Sequence, residues 1–423
     1  MQISFARIGP FLASGIVAQI AAAIAGLMLV RWMSVSDYAI YTIGVSMAGA
    51  ITLLTRGGVR LGLAAVLADV WPDRGMAAEA LSAARSARLL ISGVTLPLIL
   101  GIGWFLLDRA GASTAMQLVI IGILAAIWIA DYFGGVIDQV LYFDDKAVRV
   151  QGLDTAIAWG RLGLIGLLRL GGAVSVISAL LTSLFVSVAR IPIIRSWVGE
   201  TVGHSPEPAR PEVVRRVREV ALRQVPVDLF VAMQTQAALY YLTQNGGGIE
   251  LATYGALARI AQILTPFAAV SLAFFVPAFA PVRERVGLLL LGYVGVGALP
   301  GLALLAWAIA APATLLFFIG PAYAEQTWPL QVCAALVAVT SAVEVAASLV
   351  AHRGWNRWGW IRIAFGLVWI AVAPMLFPID TAAGGYLFFC GFSVGTVIAL
   401  TLDLLAAQKR GEIRLGRPAH KVV

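Results

Sequence analysis

The sequence predicts an all-α polytopic membrane protein of about twelve transmembrane helices, arranged as two six-helix lobes. Three observations carry that prediction. Apolar residues fill 60% of the 423 positions and charged residues only 12%, about half the roughly 25% usual in soluble domains. The apolar residues gather in long runs separated by short polar connections. The basic residues between those runs alternate in density, as an even number of crossings requires. So little charge cannot cover a soluble core of this size. An ordinary soluble enzyme, a disordered chain and a disulfide-stapled secreted scaffold are thereby excluded.

A bilayer core about 30 Å thick takes roughly 20 apolar residues per helix. That ruler places spans near 8–30, 38–66, 87–107, 116–141, 153–169, 173–198, 225–244, 252–281, 287–317, 329–351, 358–376 and 384–406. Continuous runs of this kind do not match the short alternating segments of a strand barrel. The first run, with Arg7 at its foot, outlasts a signal-peptide core of about 7–15 residues, and further spans follow it, so it reads as a retained helix. The fifth is the weakest, because Asp154, Arg161 and Arg169 interrupt it.

Orientation follows from the basic residues. With a cytoplasmic N-terminus, 20 of the 30 lysines and arginines fall in inside segments, 3 in outside loops (Arg31, Arg109, Arg169) and 7 within spans. Both termini are therefore expected in the cytoplasm. Trp32, Tyr38, Trp104, Tyr142, Trp197, Trp328 and Trp358 stand where an interfacial aromatic belt belongs. The Gly297/Gly301 and Gly391/Gly395 pairs have the small-xxx-small spacing of helix packing. Cys333 and Cys390 lie in apolar runs without metal or redox spacing.

The longest inside connection, 199–224, holds Pro206, Pro208, Pro211 and the run Arg215-Arg216-Val217-Arg218. It divides the chain into an N-terminal lobe (1–198), a basic cytoplasmic linker, a C-terminal lobe (225–406) and a cytoplasmic tail (407–423). A solvated linker is the simpler reading; residues 212–223 alternatively form an amphipathic helix on anionic lipid. The halves echo each other faintly, since a tyrosine follows an acid where each lobe re-enters the membrane: Asp37-Tyr38 in the first, Glu250 and Tyr254 in the second.

Here a resemblance enters. The stretch Leu29-Val30-Arg31-Trp32-Met33-Ser34-Val35-Ser36-Asp37-Tyr38-Ala39-Ile40-Tyr41 resembles the span 1–2 junction of polysaccharide-transporter (Wzx-like) flippases, with Ala39 where Gly is usual. Those flippases are a branch of the multidrug/oligosaccharidyl-lipid/polysaccharide (MOP) exporter superfamily. The stretch Ala252-Thr253-Tyr254-Gly255-Ala256-Leu257-Ala258-Arg259-Ile260-Ala261-Gln262, followed by Pro277, is similar to that family's span 8. The resemblance implies two six-helix lobes around a central cavity and alternating-access flipping of a lipid-linked oligosaccharide. It also implies a multi-pass protein of the bacterial inner membrane that serves surface or exopolysaccharide biosynthesis. Membrane lipids and the polysaccharide polymerase machinery are the further expected partners.

An ionisable side chain in a span is costly, about 2.5–3.5 kcal/mol for a central arginine, so it faces a wet cavity or a partner. Arg56 and Arg60 share one face of span 2 at i and i+4, with Gly57-Gly58 leaving that face open to close approach. Two guanidiniums so placed can clasp a diphosphate bidentately, which lysine does not do. Alternatively they snorkel to the inner surface. By the resemblance, arginines on spans 1, 2 and 8 meet the lipid diphosphate, which makes Arg56, Arg60 and Arg259 the expected substrate residues and Arg7 a weaker fourth. Arg259 alternatively pairs with Glu250. Asp131 in span 4 and Glu344 in span 10 are expected either as an ion-coupling pair or as structural partners of Arg161 and Arg362. Asp138, Asp228 and Asp403 read as interfacial.

No catalytic pattern is present. No lysine follows a glycine in a phosphate loop, His204, His352 and His420 all fall in inside segments, and the outer loops are short. No enzyme, cofactor, metal or nucleic-acid partner is expected, and the basic tail from Lys409 to Lys421 reads as an orientation signal. Two other functions remain in view. One is a cation-coupled exporter of small amphipathic compounds centred on Asp131 and Glu344. The other is a membrane-embedded glycan-modifying enzyme, against which the missing catalytic pattern argues.

Overall fold

In a bilayer every backbone N–H and C=O must be bonded internally, and a long apolar run does this most directly as a helix. The computed structural model describes residues 5–203, 209–264, 267, 279, 285–351 and 357–413, with side chains from residue 13 onward except at Ala351. Among them the chain is helical with no strand, the all-α polytopic class the sequence predicts. Eight described helices are long and apolar enough to cross a membrane, with Trp360–Leu376 a shorter apolar helix. All three histidines, Pro277, Arg283, Arg353, the tail beyond 413 and the Arg7 side chain lie outside the described residues.

The chain forms two compact units, Met1–Thr243 and Gln244–Val423. The first holds α1 (Phe5–Trp32), α2 (Val35–Val70), α3 (Arg74–Arg109), α4 (Thr114–Gly134), α5 (Gln139–Phe143), α6 (Ala147–Leu170), α7 (Val176–Val202) and α8 (Pro211–Tyr241). Several starts are set by small polar caps that satisfy otherwise orphaned N–H groups. Ser34 accepts from the Asp37 N–H at 3.1 Å, Asp73 from Met76 at 3.0 Å, and Ser175 and Ser178 form a reciprocal capping box on α7. The α2 and α3 helices have 36 residues each, about 54 Å at 1.5 Å per residue. They therefore outreach the bilayer core.

The weakly apolar fifth span is a full helix, α6. Its charges are met locally: Asp154 by Arg190, Arg161 by the Tyr41 hydroxyl at 3.0 Å, and Arg169 by the Trp32 ring at 5.5 Å.

The basic segment after 199 differs from a solvated linker. The α7 helix continues to Val202 and α8 begins at Pro211. Its first turns lie main chain to main chain on a glycine stripe of α2. A Cβ at Gly58 would meet the Ala221 carbonyl oxygen at 2.5 Å, and one at Gly62 would meet that of Val217 at 2.5 Å. Arg216 pairs with Asp69, and Arg210 Nε reaches Glu79 Oε1 at 2.8 Å, tying α8 to α2 and α3. Leu63 and Leu67 of α2, Ala80 and Ala84 of α3, Val140 of α5 and Ile194 of α7 complete this core. All of α8 thus belongs to the first compact unit, although the sequence places 225–244 in the second lobe.

The second unit holds α9 (Gly247–Gln262), α10 (Val286–Ala310), α11 (Pro312–Ile319), α12 (Thr327–Ala351), α13 (Trp360–Leu376) and α14 (Ala382–Lys409). Gly297 and Gly301 of α10 pack on Val345 and Ala338 of α12, and Gly391 and Gly395 of α14 pack on Trp369 and Phe365 of α13. Both small-residue pairs are packing faces, as their spacing suggests.

Replacing Gly58 by Ala should lower the unfolding midpoint in detergent by the equivalent of about 1–3 kcal/mol, the usual cost of overpacking. Gly93→Ala, where a Cβ meets nothing within 4 Å, should leave the midpoint in place. A pH-dependent test comes from the turn between α5 and α6, where Lys146 Nζ lies 2.7 Å from Asp144 and the Thr201 hydroxyl lies 3.0 Å from it. The Lys146 contact first, and Thr201 with it, hold the Asp144 carboxyl below its ordinary value of 3.8. A depressed carboxylate stabilises the fold above its unfolded pKa, and that contribution is lost as pH falls through the folded value. Asp144→Asn should therefore lower the midpoint at pH 7, and the gap to the parent should close as the pH drops below the ordinary carboxylate range.

Candidate functional site

The charged interior of the first unit is built around one carboxylate. Arg56 stands 21 residues from the start of α2 and Arg88 the same number from the end of α3, about 32 Å from the ends that share the expected outer face. They therefore reach the same level from neighbouring helices. Between them lies Asp131, 7% exposed, near the end of α4. Arg56 donates to it through Nε at 2.7 Å and Nη2, and Arg88 pairs with it through Nη2. Arg88, 1% exposed, also donates through Nη1 to the Asp131 carbonyl at 2.7 Å and through Nη2 to Thr55 Oγ1 at 3.3 Å. Two guanidiniums on one carboxylate leave the cluster with a positive excess.

Two glycines permit this approach. At Gly135 a Cβ would strike the Arg56 guanidinium, with Cζ at 2.7 Å. At Gly57 it would strike the Asp228 carboxylate, whose Oδ1 lies at 3.2 Å. Hence Gly57 and Gly58 do not open the arginine face to close approach, as the sequence suggested. They lie on the side of α2 that is covered by α8, whose buried Asp228 accepts from the Gly58 N–H at 3.0 Å and from Gln224 Nε2 at 2.9 Å. Asp228 is a packing acid inside the unit, not an interfacial one.

Arg60 remains exposed one turn below Arg56. It is oriented by Gln139 Oε1 at 2.6 Å and lies over the Tyr142 ring at 5.3 Å. Asp138 is likewise buried, and it shares Arg190 with Asp154: Nη2 reaches Asp138 at 3.0 Å, Nε reaches Asp154 at 2.9 Å, and Nη1 donates to the Gly134 carbonyl at 3.1 Å. Sequence reasoning singled out neither Arg88 nor Arg190 as a member of the site. Matching residue depth from the expected outer turns would have brought Arg88 and Arg56 to one level, with Asp131 about one turn from it.

The other sequence-predicted residues lie elsewhere. Asp131 pairs with Arg56 and Arg88, whereas Arg161 meets Tyr41. In the second unit Arg259, in the last turn of α9, donates to Gln262 Oε1 at 3.2 Å. Glu250 accepts instead from the Ala382 N–H at 2.7 Å, at the start of α14. Glu344 is exposed on α12, where its electrostatic neighbour is Arg362. Asp403 accepts from the backbone N–H groups of Arg357 and Trp358 at 2.9 and 3.1 Å. Arg7 lies on α1. Among the described residues no group of three or more His, Cys, Asp or Glu is placed to hold a metal ion.

No family model matches the sequence, and no curated protein does. Solved structures do. The chain is similar to an inward-facing multidrug-resistance MATE-family transporter of the MOP superfamily, at 16% identity and TM-score 0.69, over 93% of this chain and 94% of the other. It is similar to the lipid II flippase MurJ in an inward closed conformation, at 10% identity and TM-score 0.68, over 95% and 88%. A MOP-superfamily transporter from Pyrococcus furiosus follows at 14% identity and TM-score 0.59, over 95% and 94%. Identities this low establish the fold: a multi-pass membrane protein with the architecture of MOP-superfamily transporters.

Removing one partner of a buried charge pair costs about 3–5 kcal/mol, because the survivor is left uncompensated. Asp131→Ala, which strands two arginines, should destabilise the purified protein more than Arg88→Ala, and Arg60→Ala should have little effect. Thermal unfolding in one detergent reads this order.

Proposed function

We propose that the protein is a flippase that carries a polyprenyl-diphosphate-linked oligosaccharide from the cytoplasmic to the outer leaflet of a bacterial inner membrane by alternating access, serving surface or exopolysaccharide biosynthesis. The observation that carries this reading is the pair Arg56 and Arg60. They stand one turn apart on α2, near the expected inner end of the membrane. Each is held in one orientation by a neighbour, Asp131 for the first and Gln139 for the second. Asp131 takes the Nε–Nη2 edge of Arg56 and leaves Nη1 without a protein partner among the described residues. Guanidiniums fixed before the ligand arrives lose less entropy in gripping a diphosphate than free ones. Likeness in fold to the lipid II flippase supports a lipid-linked substrate. Arg259 in the second unit and Arg7 on α1 are separate candidates for the same ligand. The polysaccharide polymerase machinery is the partner that would take the delivered product.

A second reading stands beside it: a cation-coupled exporter of small amphipathic compounds. It draws on the likeness to the MATE-family transporter and on the membrane-level carboxylates Asp138 and Asp154. Asp131, engaged by two arginines, is a poor acidic coupling site; Glu344, exposed on α12, is the better candidate.

Proteoliposomes separate the two. With a polyprenyl-diphosphate oligosaccharide in one leaflet, the parent should equilibrate it, and Arg56→Lys/Arg60→Lys should slow the rate at least about tenfold, about 1.4 kcal/mol, by keeping charge while losing the fork. Unchanged rates in that variant and in Arg60→Gln would overturn the diphosphate site. Ion-gradient-driven dye efflux without lipid movement would replace the flippase by the exporter.

A further inference from the structure

A second basic feature of the first unit is untouched by the reading above. Between α3 and α7, at the end of the membrane that the basic loops assign to the cytoplasm, lies a cavity of about 530 Å³. Arg85 and Ser82 line it from α3, Arg195 and Ser196 from α7, with Ile137 also in the lining. No carboxylate is among the lining residues.

These two arginines differ from their basic neighbours. Arg190, Arg210 and Arg216 each have an acidic partner. Arg85 has no ion pair among the described residues, and Arg195 lies over the Phe133 ring at 4.9 Å instead of on a carboxylate. Two arginines and two hydroxyls around a pocket without acids make a phosphate-shaped demand. The volume suits a headgroup-sized ligand.

The surroundings distinguish a lipid from a soluble anion. Leu89 lies one turn above Arg85 on α3, Val188 two turns above Arg195 on α7, and Phe133 on α4; they are 50%, 48% and 41% exposed. In a bilayer these side chains face acyl chains directly above the two guanidiniums. A basic pocket at the inner leaflet with an apolar wall above it matches a lipid that is anionic at its head and aliphatic in its tails.

We propose that this cavity binds the phosphodiester headgroup of an anionic phospholipid of the inner leaflet, with its tails along Leu89, Phe133 and Val188. The site does not depend on the transported substrate.

The experiment titrates the full-length protein in detergent with phosphatidylglycerol, phosphatidylcholine or inorganic phosphate, following unfolding temperature and lipid retention by native mass spectrometry. Phosphatidylglycerol should raise the midpoint and stay bound, phosphatidylcholine should do neither, and phosphate at the same concentration should not compete. Arg85→Gln/Arg195→Gln should weaken phosphatidylglycerol binding at least about tenfold while its midpoint in phosphatidylcholine matches the parent. Ser82→Trp, which fills the cavity and keeps both charges, should weaken it similarly. Equal phosphatidylglycerol binding by both variants, or full displacement by inorganic phosphate, would overturn the lipid site. So would equal retention of phosphatidylcholine.

Discussion

The arrangement of the first unit depends on what Asp131 requires. A carboxylate buried at membrane depth is unfavourable by several kcal/mol unless it is paired and its lone pairs are filled. Both oxygens of Asp131 are engaged by arginines from two other helices, and its own carbonyl accepts from Arg88 and from the Gly135 N–H at 2.7 Å. That single residue therefore fixes the depth of α2 and α3 relative to α4. Just beyond it α4 ends at Gly134, and the next residue has no side chain, which is what lets the Arg56 guanidinium lie against the main chain. The same break swings Asp138 round to Arg190. One charge-balanced layer thus cross-links five helices, α2, α3, α4, α6 and α7.

This layer also explains why α8 sits where it does. The α2 helix presents Arg56 toward α4 and Arg60 toward α5, and a glycine stripe elsewhere on its surface. Close helix contact in membranes relies on such small-residue stripes because apolar burial gives no net drive there. Gly57, Gly58 and Gly62 take up Asp228, Ala221 and Val217 of α8, and the Gly58 N–H supplies a bond that Asp228 needs. A proline-rich connection is an ordinary place for a lobe boundary. Here the physical boundary follows the packing, after α8, because a helix held by main-chain contact and two ion pairs at its start cannot be counted with the residues that follow it.

Legibility in the sequence follows the same division. The expected spans fall on described helices, because bilayer thickness and hydropathy largely determine where a chain must be helical. Yet 116–141 is interrupted at 135–138, 287–317 at Ala311, and 252–281 is one continuous described helix only to Gln262. The pairing of charges was not readable. Arg56 and Arg60 share a helix face, as spacing dictates, but whether that face meets ligand or protein depends on which helices lie against it. Gly57-Gly58 permits both a ligand and a neighbouring backbone, and local pattern cannot choose between them. Asp131 was recognisable as an acid in need of a partner. Which of seven intramembrane arginines supplies it is a tertiary fact.

The surplus of arginine over lysine has a structural source that is distinct from any ligand. Only three of the 30 basic residues are lysines, and none stands in the membrane-level clusters. Arg190 places each nitrogen on a different acceptor, Asp154, Asp138 and the Gly134 carbonyl, contributed by α6, by the turn after α4 and by the end of α4. Arg88 serves a carboxylate, a carbonyl and a hydroxyl on two helices. A lysine ammonium is a compact point charge and cannot hold three acceptors in fixed directions several ångströms apart. Its stronger hydration would also raise the cost of burial. Where polar groups must join helices at membrane depth, the planar fork is the better tool. The arginines that meet this internal demand are accordingly poor markers of substrate. The informative ones are those the protein orients yet leaves with an unspent donor within reach of a ligand. On that criterion Arg56, 30% exposed, separates from Arg88, whose unspent Nε is buried, although both grip the same carboxylate.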